Sequence, residues 1–230
     1  MSRYFLYSYP RSGNTWLRYI IEKLTEYRTK GYNSNVGFEQ GILKKTGSDK
    51  IVHKRHGLPS DERIGKGIND TKDKLILIVR DYKNVIVRHN INKISNIDNI
   101  FYSQTTGNNT NGLDYIYLLK MYQQWNESNR FLIYYEDLLK GDEKLNSIIK
   151  SLCSFLESED CDCIVDDFIN EYDFHKKQSI NIYNTTEQSL SKENTQHKDQ
   201  ISKEMLTKWQ DHIVNDFPSI HEDFLRVYDE

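Results

Sequence analysis

The chain has 230 residues, of which 37% are hydrophobic and 28% charged, enough for one ordinary domain with a real core and against wholesale disorder. Lysine and arginine total 31 against 34 acidic residues, so no broad basic face for nucleic acid is expected and any bound anion needs a local site. No stretch approaches the roughly 20 apolar residues of a membrane span, no charged-then-apolar leader opens the chain, and a cytoplasmic location is expected.

The first predicted strand is Tyr4–Ser8, followed by a loop and a helical face of Trp16, Leu17, Ile20, Ile21 and Leu24, with Arg18, Glu22 and Lys23 opposite. Ile51–Lys54 reads as the next strand. Leu75–Val79, "LILIV", is apolar throughout, as in a strand buried on both faces of a parallel sheet. Leu113, Ile116, Tyr117, Met121 and Trp125 form a rougher helical stripe, and Phe131–Tyr135 a further strand. Two clean helical faces follow, Leu145 to Phe155 and Ile164 to Ile169, and a last helix is predicted over Lys203 to Asn215. Cys153, Cys161 and Cys163 form no disulfide framework, and the Cys-Asp-Cys pair lacks zinc-knuckle spacing. They are expected as reduced thiols, and no metal site is expected.

Strands alternating with helices predict a single α/β domain over residues 1–230, in three layers with a central, mostly parallel sheet. Two polar stretches, 95–112 and 177–202, are long for plain connections and read as candidate substrate or cofactor lids.

"YPRSGNTWLR", residues 9–18, joins the first strand to its helix. The first N–H groups of a helix have no internal partner and carry the positive end of its dipole, so they favour an anion. Gly13 allows close approach, Ser12, Asn14 and Thr15 add donors, and Arg11 adds a planar fork suited to phosphoryl or sulfuryl oxygens. Taken alone, the stretch reads equally as an ordinary capped turn with a solvated arginine. With one glycine and no lysine it is not a Walker A loop.

This stretch resembles the 5′-phosphosulfate loop of the cytosolic and bacterial sulfotransferases, which use 3′-phosphoadenosine 5′-phosphosulfate (PAPS) and release the bisphosphate PAP. That resemblance implies a P-loop-like fold. It also implies that Arg11, Ser12, Gly13, Asn14 and Thr15 grip the 5′-phosphate and sulfonate, and that Trp16 packs on the adenine, although Trp16 also lies on the apolar stripe. "LILIVRDYKNVIVRH", residues 75–89, is similar to the family's second cofactor motif. There Arg80 would bind the 3′-phosphate, with Arg88 standing where the family has serine. "IVHKRHGLP", residues 51–59, resembles the strand that carries the general base. His56 falls on that base and Lys54 on a residue contacting the transferring sulfonate.

"RFLIYYEDLLKG", residues 130–141, matches a segment that mainly supports the family fold, and "INEYDFHKK", residues 169–177, stands loosely for its adenine contact with Phe174 best matched. The family's C-terminal glycine-bearing signature is absent. Residues 190–202 stand in its place, where Lys192 or Lys198 can reach the 3′-phosphate or remain solvated. The expected activity is sulfonate transfer from PAPS, without a metal, to a hydroxyl of a small-molecule or carbohydrate acceptor. Two other readings stay open: a non-catalytic PAP- or partner-binding member, and a phosphotransferase in which Asp81 binds magnesium.

Overall fold

Strand β1 (Tyr4–Ser8) occupies the middle of a five-stranded, wholly parallel sheet ordered β2-β3-β1-β4-β5. Its neighbours are β3 (Ile51–Arg55) and β4 (Lys74–Val79), with β2 (Arg28–Lys30) and β5 (Arg130–Tyr134) at the edges. This computed structural model describes residues 3–25, 27–30, 51–56, 72–108, 113–158, 161–183 and 197–229.

The alternation of side chains along a strand builds the two outer layers. Leu75, Leu77 and Val79 of β4 face one way, onto α2 (Tyr82–His89), α3 (Ile97–Ser103), α4 (Tyr115–Gln124) and α8 (Lys203–Asp216). Ile76 and Ile78 face the other way, onto α1 (Asn14–Thr25), α5 (Glu143–Leu156) and α6 (Cys161–Asn170). Both faces of β4 are therefore dry, which is why "LILIV" contains no polar residue. Each aliphatic side chain buried this way contributes about 1.5–3 kcal/mol.

Four findings depart from expectation. Strand β2 pairs with β3 although only Thr29 of its three residues is buried. Much of the stretch 95–112 is helical: a 3-10 turn spans Ile91–Asn96 and α3 follows, because Ile97 and Phe101 turn the same way into the core. The stretch from 177 begins as the last turns of α7 (Tyr172–Tyr183). Cys153 is disulfide-bonded instead of reduced, on a buried face where α5 packs against α6. Lys192 lies outside the described residues. Among the described residues no helix is long and apolar enough to cross a membrane.

Candidate active site

The carboxyl ends of β1, β3 and β4 come together at one edge of the sheet, the edge where open α/β folds bind ligands. Register fixes what meets there. Leu6 is opposite Lys54 and Ser8 is opposite Ile78, so the loop after Ser8, His56 after β3 and Arg80 after β4 emerge side by side.

The loop after β1 is bent by two left-handed residues, Arg11 (φ 70°) and Gly13 (φ 91°). An arginine in that region is strained, and such conformations cluster at binding sites. Gly13 is required by its surroundings as well: a Cβ there would stand 2.1 Å from Cδ2 of Tyr135. The first helical bond of α1 runs from Leu17 N–H to Gly13 O at 3.1 Å, so the N–H groups of Asn14, Thr15 and Trp16 precede it and are available at the positive end of the helix.

Two buried polar atoms at this turn have no hydrogen-bond partner, Oγ of Ser12 and Oδ1 of Asn14. An unsatisfied buried polar atom costs about 1–3 kcal/mol, which a ligand hydrogen bond would recover. Asn14 directs its amide nitrogen back to Ser8 Oγ.

Three guanidiniums converge on the loop. Arg80, on the residue after β4, donates to the Arg11 carbonyl at 3.3 Å and lies 4.5 Å over the centroid of the Tyr135 ring. Arg88 is half-buried; burial first, then the charges of Arg80 and Arg11, disfavours its protonated form. Arginine does not give up its proton at ordinary pH. An anion bearing several oxygens would offset that repulsion, and the cluster suits such a group.

His56 stands on the other flank of the loop. Its Nδ1 lies 3.1 Å from Ser8 Oγ and 3.3 Å from the Ser8 carbonyl. Asn14 Nδ2 also lies 3.3 Å from this nitrogen. In the tautomer whose Nδ1 proton goes to the Ser8 carbonyl, Nε2 keeps a lone pair that can accept a proton. Burial, then the charge of Lys54, pushes the imidazole down to about 4, so it is neutral near pH 7. Lys54 is itself lowered to about 8 by burial and by the charge of Arg18, whose guanidinium is tied to the Thr29 hydroxyl at 2.8 Å.

The remaining expected residues lie farther out. Trp16 is 7% exposed, stacked on Tyr19 with centroids 5.5 Å apart, edge-on to Tyr172, and bonded through Nε1 to the Leu138 carbonyl at 3.1 Å. These contacts make it part of the core. Phe174 is 54% exposed and borders an open cleft of about 750 Å³ that also includes Tyr172, Gly141, Lys140 and Lys176. Asp81 caps α2, accepting from Lys83 N–H at 2.9 Å and Asn84 Nδ2 at 2.8 Å, and faces Lys198 Nζ at 3.7 Å. Its oxygens are thus committed to the protein, which counts against a magnesium-holding role. Lys198 contacts α2, with its N–H on Asn84 Oδ1 at 3.1 Å.

Tyr135, which the sequence places only in a fold-supporting segment, borders this loop. Its ring covers Gly13 and carries Arg80 on one face. The glycine opposite an aromatic 122 positions away leaves no signal in a single sequence.

The sulfotransferase domain family matches residues 2–230. No curated protein matches the chain by sequence. Among solved structures, mouse sulfotransferase SULT7A1 complexed with PAP superposes with a TM-score of 0.62 at 14% identity, over 99% of this chain and 88% of that one. A retinol dehydratase in complex with androsterone and inactive cofactor PAP superposes with a TM-score of 0.53 at 18% identity, over 93% of this chain and 81% of that one. At these identities the superpositions describe a shared fold.

Proposed function

The chain belongs to the sulfotransferase-domain family, and from that premise we propose that it transfers a sulfonate group from PAPS to the hydroxyl of an acceptor, a small molecule or a carbohydrate. One observation carries this reading: the unpartnered Ser12 hydroxyl, the left-handed Gly13 under Tyr135, and the guanidiniums of Arg11, Arg80 and Arg88 gather at one loop, with His56 on its other flank.

The residues present fit the nucleotide. Arg11, Ser12, Gly13, Asn14 and Thr15 would hold its 5′-phosphosulfate, Arg80 and Arg88 its 3′-phosphate, and Phe174 with the adjoining cleft its adenine. Trp16 would support the adenine side from within the core. Lys192 is proposed as an added 3′-phosphate contact. When bound, PAPS supplies the sulfonate and departs as PAP.

His56 Nε2 accepts the proton of the acceptor hydroxyl, a role worth about 10²–10⁴-fold. Lys54 steadies sulfonate oxygens. Arg11 and the N–H groups at the start of α1 face the charge that grows on the leaving side, and fixed donors of this kind commonly give the largest rate contribution. Arg11 acts by its permanent charge, since a guanidinium does not serve as a proton donor at working pH.

The test is single-turnover transfer of labelled sulfonate to a panel of hydroxylated acceptors. Replacement His56→Ala should lower the rate at least about 10²-fold while PAP still raises the melting temperature. A wild-type rate in that variant would remove His56 from the chemistry. Stronger stabilisation by ATP and magnesium than by PAP would favour phosphoryl transfer, and PAP binding without transfer would favour a nucleotide-binding member.

A further inference from the structure

We propose that Tyr228, in the C-terminal turn, is a positioning residue for Arg80: its hydroxyl holds the Glu136 carboxylate away from that guanidinium and against the Arg80–Asp81 peptide.

The turn Arg226–Tyr228 lies 145 positions from Lys83 yet packs behind the same sheet edge. The Tyr228 hydroxyl donates to Glu136 Oε2 at 2.8 Å, and Glu136 Oε1 accepts from the Asp81 N–H at 3.3 Å. The Tyr228 main chain is fixed too, since its carbonyl accepts from Lys83 Nζ at 3.0 Å, and Lys83 also donates to Gln210 Oε1 at 2.9 Å. On the other side the Arg80 carbonyl accepts from the Tyr115 hydroxyl at 2.7 Å. The peptide that launches Arg80 is therefore held from both directions.

Glu136 is placed to affect the anion site twice. It follows Tyr135, whose ring covers Gly13 and lies under Arg80, and it binds the amide immediately after Arg80. A buried carboxylate seeks donors or cations. With the Tyr228 hydroxyl in place both of its oxygens are occupied. Without it, Oε2 loses its donor in a dry setting where Arg80 is a nearby cation, and pairing between them would consume the charge that the ligand needs. Asp81, Lys83 and Lys198 form the rest of the charged surroundings.

This inference rests on the reading of Arg80 as the 3′-phosphate contact. Binding of adenosine 3′,5′-bisphosphate and of adenosine 5′-phosphate is therefore measured by calorimetry for the wild type and for Tyr228→Phe, which keeps the ring. The expected result is about tenfold weaker binding of the bisphosphate, unchanged binding of the monophosphate, and an unchanged kcat at saturating donor. Glu136→Gln, whose neutral amide cannot pair with Arg80, should keep bisphosphate binding at or above the wild-type level and restore it when combined with Tyr228→Phe; it serves if the phenylalanine variant does not fold, and a selective loss of the bisphosphate in Glu136→Gln alone would overturn the positioning role. Equal losses for both nucleotides, or no loss, in Tyr228→Phe would overturn it as well. Wild-type protein that binds neither nucleotide would overturn the functional reading and this inference with it.

Discussion

Lys54 lies near the end of β3 and His56 directly after it, and each depends on the state of its surroundings. As the proposed base His56 must be neutral to take a proton, so the activity would be present above its value and lost as the pH falls through about 4. In its proposed role Lys54 must be charged, so that contribution would be lost as the pH rises through about 8. The pH profile of kcat/KM reports the free protein. It should be bell-shaped, with limbs near those two values, and Lys54→Arg should remove the alkaline limb while leaving the acid one. An acid limb near 6.5, where an unperturbed histidine titrates, would contradict the burial of His56. Most of the candidate site was legible in the sequence because the glycine, the hydroxyls and the cations lie in short local motifs. What one sequence could not reveal are the partners that cross the fold: Tyr135 over Gly13, Glu136 on the Asp81 amide, and Lys198 on the carboxylate of Asp81.

Helix α8 shows how far a single side chain can secure an element. Trp209 is fully buried, its ring stacked on Phe101 at 4.2 Å and 4°, and its Nε1 donates to Asp98 Oδ1 at 2.7 Å. Both partners lie on α3, so this residue joins two helices. Trp209→Ala should cost about 3–5 kcal/mol, measured as a lower urea midpoint with an unchanged slope. A loss below about 1 kcal/mol would mean that the two helices are held elsewhere. The same contact explains which elements the sequence exposed. Helices with a full apolar face, such as α1 and α5, stand out by period alone. By contrast α3 is only seven residues long and set in a polar stretch, and only its burial against Trp209 identifies it. Strand β2 is harder still: three residues with one buried threonine carry no period, and its pairing with β3 supplies all of its order.

Across the whole molecule the charges nearly cancel, yet cations gather at one sheet edge and several titratable groups are held away from their ordinary values. His53, His56 and His175 all lie below the usual histidine value, burial being the first cause in each. Between about 6.5 and those lowered values the unfolded chain binds protons that the fold refuses. Stability then rises with pH, is complete above that window, and declines on acidification. His56 alone accounts for about 3 kcal/mol by the bottom of the window. Asp81 and Glu136 act in the opposite sense, because burial raises both and the fold retains their protons, but their window opens lower, from the ordinary carboxylate range upward. The melting temperature should therefore fall as the pH is lowered from 7 to 5, before most carboxylates titrate. In His56→Gln, which cannot titrate, the fall should be shallower. A wild-type melting temperature that stays level over that range would show that these imidazoles take up protons in the fold as readily as they do in the open chain.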